Sequence, residues 1–550
     1  MSAEAPSRGR AVASWVLTIL ATVLVLLALT APNRLQDLSP ATAVRLPVEA
    51  LAYLVVVLLL PGRLGWLRVA LALACGLVLG LVAVLKVLDM GFFESLNRPF
   101  DVVIDWRYAG SLVGLVRDSF GERLGTVLLV TAAVVGVALL VLMPLAVLRL
   151  TRVASAHPAA TWRLVAGLCS AWLLLAVLDV RTGSGAAFAS SDAAGYVYDE
   201  VSSIPSELHD QRMFAEAAKD DPLAGVPADE LLTGLRGKDV LFVFVESYGR
   251  VAVEDSTFSS GVDSVLASGT RRLRRAGFAS RSAFLTSPTF GAISWLAHST
   301  FQSGLWVDSQ QRYDVLVTSP RLTLSKAFGR AGWRTVGDVP ANTHDWPQGE
   351  FYRYDQTYDS RNVGYEGPRF GYPTMPDQYT LDAFHRLELA SSDRRPVMAE
   401  IDLITSHAPW SRTPRMIDQA DVGDGSVYDG MPEQLPSEAD IWPSPSRVQE
   451  AYGSSIEYSL RALVQFIVSY GDDDLVVVFL GDHQPATIVS GDDADHDVPI
   501  SIVARDPAVL RRIGDWGWRP GLQPPSDSPV WRMDTFRDRF LAAYGPRGPH

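Results

Sequence analysis

Residues 240–250 read VLFVFVESYGR and residues 475–485 read LVVVFLGDHQP. Each is a run of apolar and β-branched residues that stops abruptly at cation-binding chemistry, the first at Glu246, the second at Asp482-His483. A third run, 398–404 (MAEIDLI), leads into Ser406 and His407 of DLITSHAPW. Buried strands tolerate a charge where they leave the sheet, and in open α/β sheets ligands gather at the carboxyl ends of strands. One such ending is ordinary. Three that bring Glu, His, Asp and His to one edge favour a metal site.

Between the first two runs lies SPTFGAISWLAHSTFQSG, residues 287–304. Gly291 leads into a helical stretch, Ser294 to Ser303, and Gly304 is a C′ stop. Ser294 then stands at the helix N-terminus, where unpaired N–H groups and the helix dipole favour an ionised oxygen. Two readings follow. A serine oxygen on a divalent cation there is an activated nucleophile; a serine with no chemistry is an N-cap. His298, one turn later, is expected to pack at the helix surface.

The elements that must position these groups are short apolar runs at 239–245, 398–404, 475–480 and 498–504, alternating with helical spacing such as 322–331 and 449–470. The alternation predicts an α/β domain with a largely parallel, two-sided sheet. Residues 411–448 read as a long surface loop.

The first 180 residues are different. Apolar stretches near 11–30, 43–60, 66–89, 124–148 and 162–180 approach the roughly 20 residues that span a bilayer. The second is the weakest, holding Glu49 and Pro47. Arg8 and Arg10, Arg63 and Arg68, and Arg149, Arg152 and Arg163 flank alternate ends of five spans. That bias puts the N-terminus in the cytoplasm and the chain after residue 181 outside. The loop 90–123 suits either a short helix lying in the interface or an ordinary connecting loop. The expected organisation is a five-helix transmembrane domain (1–180), a linker with a helical segment near 206–219 (181–235), and an extracytoplasmic domain (236–550).

The 550-residue chain carries a net charge of −13. Residues 1–180 hold 14 Lys and Arg against 10 Asp and Glu, so the remainder is strongly acidic. Such a domain is a poor nucleic-acid binder. The two cysteines, Cys75 and Cys169, both lie in apolar runs, so there is no disulfide framework.

A strand ending in Glu246, a hydroxyl at a helix start, the SHAP of 406–409 and the GDH of 481–483, in this order behind five spans, resemble the alkaline phosphatase/sulfatase superfamily. The layout is most similar to lipoteichoic acid synthase-type phosphoglycerol transferases and to phosphoethanolamine transferases. The resemblance implies a sulfatase-like fold and one divalent cation, manganese or zinc, held by Glu246, Ser294, Asp482 and His483. A set rich in oxygen with one imidazole suits those metals better than calcium. It also implies Ser294 as nucleophile, His407 as a catalytic and substrate-contacting histidine, and Trp346, Arg353 and His496 near the substrate.

Two departures matter. Lipoteichoic acid synthases use threonine, which makes Thr289 the rival nucleophile; Ser294 is preferred for its ten-residue distance to Gly304. The sulfatase signature is broken in Ser294-Trp295-Leu296-Ala297-His298, and no cysteine is available to become formylglycine. The implied function is transfer of a phospho-headgroup from a membrane lipid to a glycolipid, glycan or polymer of a bacterial envelope. The alternatives are a metal-dependent phosphodiesterase or phosphatase on the same site, or a non-catalytic sulfatase-like membrane protein. The oligomeric state is not legible.

Overall fold

The computed structural model describes residues 8–40, 44–102, 105, 122–182, 186–254 and 256–546. It divides into two compact units, one of residues 1–94 and 98–209, the other of 95–97 and 210–550. Most of the loop expected to hold an interfacial helix, 90–123, lies outside the described residues.

The first unit is helical: α1 (Arg8–Thr30), α2 (Val48–Leu59), α3 (Gly65–Leu96), α4 (Glu122–Ala156) and α5 (Pro158–Val177). Among the described residues, four helices are long and apolar enough to cross a membrane. The expected second span falls short: α2 has 12 residues, about 18 Å of helix against a hydrocarbon core of about 30 Å. Pro47 starts it and Pro61 follows it, so the flanking residues run extended. Leu46–Pro47 (β1) pairs with Ala189–Ser190 (β2), which puts the start of α2 beside the chain that leaves α5. Halfway along α2, the Tyr53 hydroxyl lies 2.6 Å from that of Thr151, near the end of α4. The short helix therefore runs from one end of the bundle towards the other.

Small residues set the bundle's closest contact. A Cβ on Gly76 of α3 would fall 2.4 Å from Pro144 Cα of α4; without side chains there, helix backbones approach closely. The one lysine of this unit is used locally, since Lys86 Nζ donates to the carbonyls of Ala28 and Ala31 at the end of α1. The helix α6 (Asp192–Lys219) begins well before the expected position near 206.

The second unit is a nine-stranded sheet between helices. Its order is β10-β4-β9-β8-β3-β7-β5-β6, with β11 beside β4. The strands are β3 (Asp239–Val245), β4 (Ala279–Thr286), β5 (Arg334–Asp338), β6 (Gln356–Tyr358), β7 (Val397–Leu403), β8 (Leu475–Gly481), β9 (Asp497–Ala504), β10 (Arg519–Pro520) and β11 (Val530–Arg532). From β8 through β3, β7 and β5 to β6 every pairing is parallel; β9 turns antiparallel to both β8 and β4. The four predicted runs are β3, β7, β8 and β9. Sequence reading missed β4, β5 and β6, whose Ser, Arg, Thr, Gly and Gln interrupt any apolar run.

β3 and β8 are buried at every position, as two-sided coverage requires. One face is packed by α7 (Ser259–Arg275) and by the long helix Pro445–Tyr470. The other holds Phe242, Phe301, Phe328 and Phe540 in edge-on contacts. The C-terminal helix, Phe536–Tyr544, is fixed by a buried ion pair from Arg537 to Asp221, which also meets Arg321.

Candidate metal centre and its surroundings

The register of the sheet builds the site. Val245 of β3 pairs with Leu403 of β7 and with Gly481 of β8. Glu246 and Asp482, each one residue further on, therefore emerge side by side at the carboxyl edge. Their backbones are tied: Ser247 N–H donates to Asp482 Oδ1 at 2.7 Å, His483 N–H to the same oxygen at 2.8 Å, and Ser406 Oγ to the Glu246 carbonyl at 2.6 Å. Ser247 follows Glu246 in the left-handed region, at φ 56°, and turns the chain sharply there.

Helix α8 (Ser294–Ser303) brings the hydroxyl. It starts and stops where the sequence predicts, with Gly304 closing it at φ 65°. Ile293, directly before Ser294, sits at φ 69°. A β-branched residue is strained in that conformation, and strain of this kind gathers at functional sites. Ser294 Oγ donates to Glu246, 3.0 Å from Oε2 and 3.2 Å from Oε1, and lies 3.3 Å from His483 Nε2. Ile293 is the N-cap and Ser294 the first residue of the helix, and the Ser294 oxygen is turned to the carboxylate.

His483 donates Nδ1–H to the Gln484 carbonyl at 2.8 Å. That bond aims Nε2 into the centre, 3.2 Å from Glu246 Oε1 and 3.5 Å from Asp482 Oδ2. Asp482 Oδ2 is enclosed and has no hydrogen-bond partner. An orphaned carboxylate oxygen among donors this close fits a cation with Glu246, Ser294, Asp482 and His483 as its holders. Glu246, Asp482 and His483 together satisfy the spacing of a metal-ligand group.

The electrostatics describe a centre crowded with negative charge. Burial pushes the Asp482 carboxyl up, to about 6, and the neighbouring Glu246 charge adds to it. Burial acts on Glu246 in the same direction, but its hydrogen bond to His483 and the charge on that imidazole win, and it is held below the usual carboxylate range. Burial lowers His483, yet Asp482 and Glu246 raise it to about 9.

The other expected residues are placed as follows. His407 follows β7, its ring stacked on Tyr372 at 3.7 Å, and donates Nδ1–H to the Ala408 carbonyl at 2.5 Å. Burial pushes its pKa down, which favours the ring with a bare Nε2. Trp346 packs in the cluster that includes Ile293 and Trp295, the neighbours of Ser294. Trp346 and Arg353 line a cavity of about 330 Å³ with Asp345, Tyr354, Asp359 and Arg361. The ring of His496 lies 5.3 Å from that of Phe290, and its carbonyl accepts the Ser287 N–H. Thr289 points elsewhere: its hydroxyl donates to the Ala292 carbonyl at 2.7 Å.

His298 does not pack at the helix surface as expected. It is half-buried, stacked on Phe244 at 3.8 Å, with Nδ1 facing Glu400 and Asp402. Sequence reading took Glu400 and Asp402 as part of an apolar run. The signal was the alternation itself, Glu-Ile-Asp, which sets two carboxylates on one face of a strand.

No protein-family model matches this chain. No curated protein matches it either. Among solved structures, the chain is similar to the lipoteichoic acid synthase LtaP from Listeria monocytogenes, at 14% identity and TM-score 0.34, over 49% of this chain and 66% of that one. It is similar to the phosphoglycerol transferase GacH of Streptococcus pyogenes in complex with sn-glycerol-1-phosphate, at 12% identity and TM-score 0.33, over 62% and 91%. It is also similar to the soluble domain of lipooligosaccharide phosphoethanolamine transferase A from Neisseria meningitidis, at 14% identity and TM-score 0.35, over 58% and 94%. At likenesses of this size the activity has to be argued from the site itself.

Proposed function

We propose that the second unit is a metal-dependent phosphotransferase that moves a phospho-headgroup, phosphoglycerol-like, from a membrane lipid to a cell-envelope acceptor. The observation that carries this reading is the placement of Ser294. A left-handed residue presents its oxygen to Glu246 and His483 at a helix N-terminus, beside an orphaned Asp482 oxygen.

A divalent cation held by Glu246, Ser294, Asp482 and His483, manganese or zinc by donor type, supplies a depressed hydroxyl pKa and charge neutralisation. Glu246 orients the Ser294 hydroxyl by accepting its hydrogen bond. Ser294 Oγ forms a bond to phosphorus as the bond from phosphorus to the diacylglycerol oxygen breaks. The proton released from Ser294 ends on diacylglycerol, and a phosphoryl-serine remains. An acceptor hydroxyl oxygen then bonds to phosphorus as the bond from phosphorus to Ser294 Oγ breaks, and Ser294 regains a proton. His407 fits this second step: neutral, with Nδ1–H tied to a carbonyl, it offers Nε2 to take the incoming hydroxyl's proton. Trp346, Arg353 and His496 are proposed as substrate contacts.

The first unit serves this reading by holding the chain at the bilayer. With α2 running from one end of the helical unit towards the other, the arginine-flanked ends fall together, which supports a cytoplasmic N-terminus and an extracytoplasmic catalytic unit.

The test uses the full chain in detergent with manganese and a phosphatidylglycerol analogue, followed by peptide mass spectrometry. A phosphoglycerol mass on Ser294 is expected, absent in Ser294→Ala and in Asp482→Asn. A mass on Thr289 would move the nucleophile. Headgroup released to water with no acceptor product, whatever glycolipid is offered, would favour the hydrolase. No adduct and no bound metal would leave a non-catalytic membrane protein.

A further inference from the structure

Helix α8 reaches a second set of donors that the proposed reaction does not use. β7 is apolar except for Glu400 and Asp402, two positions apart on one face. His298 Nδ1 stands 3.1 Å from Glu400 Oε1 and 3.5 Å from Asp402 Oδ1. The first centre has the same spacing, with His483 Nε2 at 3.2 Å and 3.5 Å from its two carboxylates. Donors bound tetrahedrally at about 2.1 Å stand about 3.4 Å apart.

The cluster has outer supports of the kind that orient ligands. Glu400 Oε2 accepts the Tyr354 hydroxyl at 2.9 Å and the Gln302 amide. Gln302 is itself oriented, its oxygen accepting the Ser325 N–H at 3.1 Å. Both bonds take the same oxygen, which leaves Oε1 for His298. Phe244 stacks on the imidazole and fixes its plane.

One enclosed oxygen is left over: Asp402 Oδ1, the atom facing His298, makes no hydrogen bond. With both carboxylates ionised, an imidazolium offsets one of their two charges and leaves the group net negative, which is costly. A divalent cation with a neutral imidazole balances both carboxylates and uses the orphaned Asp402 oxygen.

We propose that His298, Glu400 and Asp402 bind a second divalent cation, of the manganese or zinc class, separate from the one at Glu246, Asp482 and His483. It ties α8, which carries Ser294, to β7. His298, Glu400 and Asp402 are thus positioning residues for Ser294.

The test counts metal. The full chain in detergent is stripped with chelator, loaded with Mn²⁺ alone, desalted and measured by elemental mass spectrometry. Two ions per chain are expected, falling to one in Asp402→Asn, in Glu400→Gln and in Asp482→Asn, with circular dichroism showing each variant folded. A wild-type chain with one ion, lost in Asp482→Asn, overturns the second site and leaves the proposed reaction standing. One ion lost in Asp402→Asn but kept in Asp482→Asn supports the second site and sinks the first. Two ions kept by both Asp402→Asn and Glu400→Gln overturn it, and so does a wild type that holds none; neither result can come from a misfolded variant.

Discussion

Ser294 owes its position to the residue before it. Ile293 in a left-handed conformation costs about 1–2 kcal/mol, sustained by its packing beside Trp295 and Trp346. Ile293→Gly removes strain and packing together, so the melting temperature should change little. Turnover should fall on the order of ten-fold, because a looser Ser294 spends less time in the attacking geometry. Unchanged turnover would show that the strain has no part in presenting the hydroxyl. Asp377 is a second residue with a measurable signature. It is wholly buried, accepting from Ser459 Oγ and Thr405 N–H, and burial raises its carboxyl to about 6. A carboxyl raised in the folded state is favoured as the protonated form. Its contribution is therefore fully present below the unfolded value near 4 and is lost as pH rises to about 6, on the order of 3 kcal/mol. Melting curves between pH 4 and 7 should show that decline in the wild type and lack it in Asp377→Asn; parallel curves would refute the assignment.

At the scale of elements, the bundle depends on contacts that side chains would block. Gly76→Leu drives atoms into the Pro144 backbone, so the folded yield in membranes should drop sharply. Gly136→Leu, on α4 with nothing within 4 Å of the added Cβ, should express normally. Equal yields would mean that α3 and α4 do not approach as closely as the structure has them. In the second unit, β3, β7, β8 and β9 were legible as apolar runs because both faces of the sheet are covered there. β4, β5 and β6 were not, because partners on either side stabilise a strand whose own sequence is mixed.

For the whole molecule, two units with separate cores should melt separately. Manganese at a hundred times its dissociation constant should raise only the transition of the second unit, by about 2.7 kcal/mol per site. The helical unit's transition should stay put. Chelator should reverse the shift, and Asp482→Asn should reduce it. A manganese shift that appears in both transitions, or in neither, would contradict a cation confined to the second unit.

The sequence by itself determined the groups gathered at the sheet edge. Glu246, His407 and Asp482-His483 stand where apolar runs end, and Ser294 where a helix of ten residues must begin before Gly304. Local periodicity and end signals carry that information, since they depend on neighbours in the chain. Only the tertiary structure decided that α2 is short, that Thr289 turns its hydroxyl away, and that His298 meets Glu400 and Asp402. The last of these depends on residues some 100 positions apart. A buried charge is tolerable only when a partner from elsewhere in the chain compensates it, and nothing adjacent in sequence announces that partner.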